Sequence, residues 1–148
     1  EKAYAANLSQ AISTMHLSTS DAEDLGNMVH EVWYNSIFDV GNPDTEKYMG
    51  ADFNESLVSL FNDEEFQSKL NNLEKSKESA THYMKLLSSP PGKYRDSYNS
   101  LKAYYTAYST LVNAVSDIDE SLDIYTENYT KAKTNTETGY SSVEIYVN

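Results

Sequence analysis

The chain has 148 residues, a length typical of one domain, and a net charge of −12 from 11 basic and 23 acidic side chains. Such an acidic surface repels nucleic-acid phosphates and anionic lipids, which argues against both as partners. There is no cysteine, so disulfides and thiolate metal sites are excluded. No apolar run approaches the roughly 20 residues that span a bilayer, so we expect no membrane insertion by this segment.

The first predicted element is one long helix over about residues 3–38. Its apolar side chains recur at steps of three and four, with Ser18 filling the single gap: Tyr4, Leu8, Ala11, Met15, Ala22, Leu25, Val29 and Val32. The polar stretch STSDAED (18–24) could instead cap a second piece that starts near residue 19. Because the stripe keeps its phase across that stretch, we favour a single rod.

Residues 39–52 form the predicted long loop, which holds two of the five glycines and a proline. Its oxygen-bearing side chains are weak candidates for a calcium site: Asp39, Asn42, Asp44 and Glu46. Their spacing matches no established metal-binding motif, so we predict no metal and no cofactor. A small-ligand or metal-binding role for residues 39–46 is kept as an alternative.

The second predicted helix covers about residues 53–88. Its apolar rhythm slips at FNDEEF (61–66), where Asn62 or Asp63 could cap a fresh start with Glu64 and Glu65 in the first turn. The sequence therefore predicts a kink or a short break at this point.

The third predicted helix covers about residues 91–136 and opens after the double proline of SSPPGK (88–93). Its stripe alternates three and four without error: Leu101, Tyr104, Tyr108, Leu111, Val115, Ile118, Leu122, Tyr125, Tyr129 and Ala132. The tail to residue 148 keeps the phase but has weak helix formers, so it either continues the helix or turns extended. We predict an all-α fold, an elongated antiparallel three-helix bundle with coiled-coil-like packing and the third helix longest.

Five tyrosines crowd the start of the third helix, and they share one arc with its leucines and valines: Tyr94, Tyr98, Tyr104, Tyr105 and Tyr108. We expect most of these rings in the core or at its edge, with their hydroxyls reaching water or a partner. Tyr105 is the member that we expect to be most exposed, and it is a candidate partner contact.

Motifs for catalysis are incomplete. HEVWY (30–34) begins like a zinc-protease helix, but Tyr34 stands where the second histidine is required. DIDESLD (117–123) has calcium-like spacing, but Leu122 holds the glycine position, and we interpret it as a charged helix face. No phosphate-binding glycine loop or nucleophile elbow occurs either, so we predict that the chain is not an enzyme.

Three stretches together resemble a known family: VWYNSIF (32–38), FNESLVSLFNDEEFQSKL (53–70) and PPGKYRDSYNSLKAYYTAYSTLVNAV (90–115). The resemblance is to an uncharacterised family of long-helical proteins of Gram-positive bacteria and their prophages, often secreted or lipid-anchored. It covers about half of the chain. Family members often carry a proline after the aspartate that matches Asp63, whereas this chain has Glu64. The resemblance implies a bacterial, surface-exposed setting and brings no catalytic residues.

These observations predict a non-enzymatic, extracytoplasmic bundle that binds a protein or glycan partner or acts as a spacer. We expect its contact patch at Trp33, Tyr34, Ile37 and Phe38 if these side chains are exposed at one end of the bundle. Self-association through the second half of the third helix is an alternative. The chain begins at Glu1, and a leader or lipid anchor could have preceded it.

Overall fold

The computed structural model describes residues 2–116 and 121–147, which form helices without any strand and confirm the all-α class. Five α-helices follow one another: α1 (Lys2–Phe38), α2 (Phe53–Phe61), α3 (Glu64–Leu86), α4 (Arg95–Ser116) and α5 (Leu122–Val143). Single turns of 3₁₀-helix lie at Glu46–Tyr48, Gly92–Tyr94 and Glu144–Tyr146. Among the helices of the described residues, none combines the length and the apolar character needed to cross a membrane.

Helix α1 is one rod of 37 residues, and it coincides with the long first helix that the apolar stripe predicts. Ser18, the polar member of that stripe, is buried, and its hydroxyl lies 2.5 Å from the hydroxyl of Tyr108 on α4. A buried hydroxyl is costly unless it is hydrogen-bonded. The gap in the stripe is therefore a position where α1 makes a polar contact inside the core.

The break predicted in the second helix lies at Asn62 and Asp63. The Asp63 carboxylate accepts a hydrogen bond from the Phe66 backbone N–H at 3.1 Å, so Asp63 is the N-cap of α3. Glu64 and Glu65 occupy its first turn, where negative charge is favoured by the helix dipole. The rings of Phe61 and Phe66 pack 4.8 Å apart across the break.

The second half of the chain differs from the predicted arrangement, and the three-helix bundle is not confirmed. Helix α4 ends at Ser116, and α5 packs back against it in the opposite direction. Two hydrogen bonds fix this reversal: the Tyr125 hydroxyl donates to the Val115 carbonyl at 3.0 Å, and the Thr136 hydroxyl donates to the Ala107 carbonyl at 3.1 Å. Ile118, a member of the predicted stripe, lies outside the described residues.

The resulting order is α1 up, α2 and α3 down, α4 up and α5 down, with α1 in contact with all four other helices. Helix α1, at 37 residues, is longer than α4 or α5, at 22 residues each. The apolar stripe keeps the same period whether the third helix continues or reverses, because α5 resumes the repeat in phase. The heptad pattern alone therefore could not distinguish the two arrangements.

Tyrosine hydroxyls join the helices to one another. Tyr104 and Tyr108 are fully buried, as the helical arc predicts, while Tyr94, Tyr98 and Tyr105 are half-buried. The Tyr4 hydroxyl links α1 to Leu87, which follows α3. The hydroxyls of Tyr108 and Tyr105 link α4 to α1 and to α3, and those of Tyr125 and Tyr129 link α5 to α4 and to α1. Each ring contributes apolar area while its hydroxyl finds a partner on the neighbouring element.

Helix α5 approaches α1 closely at Gly26. A Cβ atom at this position would lie 2.3 Å from Cε1 of Tyr129. The Tyr129 hydroxyl lies 3.0 Å from the Glu23 carbonyl and 3.1 Å from Oδ1 of Asn27, one turn apart on α1. The glycine therefore admits the ring that anchors α5.

Gly26→Ala should destabilise the fold even though alanine has the higher helix propensity. The added methyl group displaces the Tyr129 ring, and overpacking of this kind costs ~1–3 kcal/mol, against a propensity gain of about 1 kcal/mol. Urea denaturation followed by circular dichroism measures the difference, with Gln10→Ala at an exposed position of α1 as the control. An increase in the free energy of unfolding for Gly26→Ala would contradict the close approach.

Stability should also fall at alkaline pH because of the buried tyrosines. Burial raises the pKa of Tyr129 to about 12, with Glu23, Asp24 and Glu137 adding to the shift, and burial also raises the pKa values of Tyr104 and Tyr108. The unfolded chain ionises first, near pH 10, so this stabilisation is complete below pH 10 and is lost as the pH rises toward 12.

The melting temperature, measured from about pH 8 to about pH 11.5, checks this expectation. Tyr129→Phe removes the ionisable hydroxyl and should flatten the alkaline decline. Tyr34→Phe, at an exposed ring, should follow the wild-type profile. Identical profiles for all three proteins would show that Tyr129 titrates as it does in the unfolded chain.

Candidate functional site

The C-terminal end of α1 carries the patch that the sequence singles out, but its four members have different environments. Trp33 is buried, with 3% of its surface exposed, whereas Tyr34, Ile37 and Phe38 are 46%, 47% and 66% exposed. Trp33 therefore belongs to the core, and the candidate contact surface consists of the other three side chains.

Trp33 packs in the core between α1, α2 and α5. Its ring lies 6.0 Å from that of Phe53 on α2 and 5.9 Å from that of Tyr125 on α5, measured between centroids. Trp33 follows Val29 by four residues, which puts both on the inner face of α1. Tyr34, one residue on, is rotated by about 100° and leaves that face. The same helix end thus holds a core anchor and an exposed aromatic ring.

A row of rings runs along the outer side of α1. His30, Tyr34 and Phe38 are spaced four residues apart, with centroid distances of 6.1 Å and 4.8 Å between successive rings. All three line an open cavity of about 750 Å³, whose other wall consists of eight side chains of α5 between Leu122 and Asn135. The exposed patch therefore opens onto a groove between α1 and α5.

His30 fixes the register of the two walls. Its Nδ1 lies 3.0 Å from the hydroxyl oxygen of Thr126, and either atom can donate, depending on the imidazole tautomer. His30 is half-buried, and its ring faces α5. Since the two helices run in opposite directions, Tyr34 and Phe38 lie level with the first turn of α5.

Tyr105, the other predicted partner contact, lies apart from this groove. It is half-buried on α4, and its hydroxyl is 2.6 Å from that of Thr81 on α3. The structure therefore does not bring Tyr105 together with Tyr34 and Phe38.

The acidic side chains of the 39–46 loop are partly used in the loop's own turns. The Asn42 amide donates to the Asp39 carboxylate at 3.1 Å, and the Asp44 backbone N–H donates to the Asn42 side-chain oxygen at 2.9 Å. Glu46 begins a 3₁₀ turn. In residues 2–116 and 121–147, no group of three or more histidine, aspartate or glutamate side chains is placed to hold a metal ion.

The calcium-like stretch 117–123 is divided by the edge of the described residues. Asp117 and Asp119 lie outside them. Ser121 is the N-cap of α5, where its hydroxyl oxygen accepts from the Ile124 N–H at 3.3 Å, and Asp123 lies in the first turn. This stretch was interpreted as a continuous charged helix face, whereas a new helix begins within it.

The α5 wall of the groove is the part of the site that sequence reasoning missed. The available signal was Ser121, a strong N-cap residue, followed by Asp123 in the position that the helix dipole favours. The apolar heptad pattern continues past Ser121 without interruption, and it led to the prediction of one continuous helix despite this helix-start signal. Tyr125 and Tyr129, which lie in the half of the predicted third helix considered for self-association, are both buried within this chain.

Comparisons of the chain with protein-family models, with curated proteins and with solved structures gave no match.

Trp33 and Phe38, both near the end of α1, should respond very differently to truncation. Trp33→Ala leaves a cavity between α1, α2 and α5 and should lower the free energy of unfolding by ~3–5 kcal/mol. Phe38→Ala removes a largely exposed ring and should change it by less than about 1 kcal/mol. Urea denaturation of both variants measures this, and a comparable loss for Phe38→Ala would mean that Phe38 is part of the core.

Proposed function

We propose that this chain is a non-enzymatic, extracytoplasmic helical bundle that binds a partner through the groove between α1 and α5. The observation that carries the proposal is the exposure of Tyr34, Ile37 and Phe38 beside a buried Trp33. Large apolar side chains that cluster on a surface commonly mark interaction sites, and aromatic residues are enriched in interface cores. A polar rim from α5 completes the arrangement typical of a binding patch.

The cellular setting belongs to the same proposal. The acidic, cysteine-free composition and the resemblance to secreted or lipid-anchored helical proteins of Gram-positive bacteria favour the soluble part of a bacterial surface protein. A spacer would need the same rigid helices but no exposed aromatic cluster.

Binding to arrays of extracellular proteins and glycans tests the proposal. The wild-type chain should bind a discrete partner, and the triple variant Tyr34→Ser, Ile37→Ser and Phe38→Ser should lose that binding by more than about tenfold, as expected for central interface residues. The matched control replaces the exposed apolar residues Leu17 and Val58 by serine and should retain binding.

Two results would contradict the proposal. Equal binding by the wild type and the triple variant would place the partner elsewhere on the chain. No binding to any protein or glycan would favour a spacer. The melting temperatures of all variants should remain close to that of the wild type, since the replaced side chains are exposed.

A further inference from the structure

The groove is built from three rows of side chains with the same spacing of four residues. The aromatic row on α1 is His30, Tyr34 and Phe38; on α5 the threonine row is Thr126, Thr130 and Thr134, and the charged row is Asp123, Glu127 and Lys131. Residues four apart lie one above another on a helix, so each row forms a ridge. The contact of His30 with Thr126 joins the two rows at one point. Because the helices are antiparallel, Tyr34 and Phe38 continue toward the start of α5, whereas Thr130 and Thr134 continue toward its middle.

The α5 wall carries the threonine row, of which Thr126 is half-buried while Thr130 and Thr134 are exposed, beside the charged row of longer side chains. From Asp123 to Thr134 this wall extends about 17 Å, at 1.5 Å per residue. It is therefore long enough for three turns of an added helix, packed against α5 as ridges pack into grooves in helix pairs.

The aromatic end of the groove is also its acidic end. Because α1 and α5 are antiparallel, Tyr34 and Phe38 lie nearer to Asp123 than to Lys131. In residues 2–116 and 121–147 the ion pair found is Lys69 with Glu65, so Asp123 and Glu127 have no ion-pair partner there.

We propose that this groove docks a basic, amphipathic α-helical segment of a partner protein. This inference rests on the proposed function and specifies its partner. The apolar side of such a segment would cover Tyr34 and Phe38, with anchors at the spacing that helix-in-groove complexes use. Its lysine or arginine side chains would lie among Asp123, Glu127 and the faces of the rings, where charge attraction and cation–π contact act together.

Charge complementarity selects this partner over others. The net charge of −12 attracts a basic segment over long range and raises its rate of encounter. A neutral glycan would leave Asp123 and Glu127 without counter-charges. An acidic helix would be repelled by the same two carboxylates.

Isothermal titration with a model peptide tests the inference. The probe is an amidated leucine–lysine helix of about fourteen residues, with leucines at i, i+3, i+4 and i+7. Two comparison peptides keep this length: one replaces each lysine by glutamate, and one scrambles the order so that no apolar face forms. Only the basic amphipathic peptide should bind measurably, and its affinity should fall with added salt.

Two groove variants should weaken binding of this peptide. Asp123→Asn with Glu127→Gln should weaken it roughly 5- to 10-fold, in line with two exposed charge pairs. Tyr34→Ala with Phe38→Ala should weaken it by more than about tenfold. The matched control, Glu74→Gln with Glu78→Gln on α3, removes the same charge at the same spacing on another exposed helix face and should have no comparable effect.

Several outcomes overturn the inference. These are no binding of the basic peptide, equal binding of the glutamate peptide, or an equal loss in the Glu74 and Glu78 control, which would show attraction to the net charge alone. If one of these occurs while the array partner still depends on Tyr34, Ile37 and Phe38, the patch binds a partner of another kind. If the array partner also binds the triple variant equally well, the proposed function fails with it.

Discussion

The fold depends on a constraint that every buried tyrosine imposes. The ring gains free energy by leaving water, but its hydroxyl loses that gain unless it finds a hydrogen-bond partner. Buried Tyr108, Tyr125 and Tyr129 meet this requirement with atoms on a neighbouring helix, as do half-buried Tyr4 and Tyr105 with atoms on a neighbouring element. The exception among the described residues is Tyr104, whose buried hydroxyl has no hydrogen-bond partner. Leucine would fill the same space without fixing which atoms face each other. The tyrosines therefore set the register of helices whose apolar stripes alone would permit sliding.

The sequence was sufficient wherever a local signal and the periodic pattern agreed. The rod of α1, the cap at Asp63 and the burial of Tyr104 and Tyr108 all rest on such agreement. The reversal before Ser121 rests on a local cap that competes with an unbroken heptad. Because the apolar period is the same in both arrangements, tertiary contacts separate them, among them those of Tyr125 and Thr136 with α4.

The residues of the candidate site also divide into those that a local sequence pattern indicates and those that depend on tertiary contacts. Tyr34, Ile37 and Phe38 could be found because they widen the stripe of α1 beyond what one helix face can bury. Trp33 could not be separated from them by sequence, because its burial requires Phe53 and Tyr125 from two other helices. The α5 wall depends wholly on the reversal of the chain, so no local pattern around residues 122–135 could assign it to a groove with α1.

The chain has one tryptophan and thirteen tyrosines, and the burial of Trp33 between Phe53 and Tyr125 has an optical consequence. Tyrosine emission overlaps tryptophan absorption, so energy absorbed by rings close to Trp33 is passed to it when the helices are assembled. Tryptophan emission excited through tyrosine, relative to emission excited directly, then reports on the assembly of α1, α2 and α5.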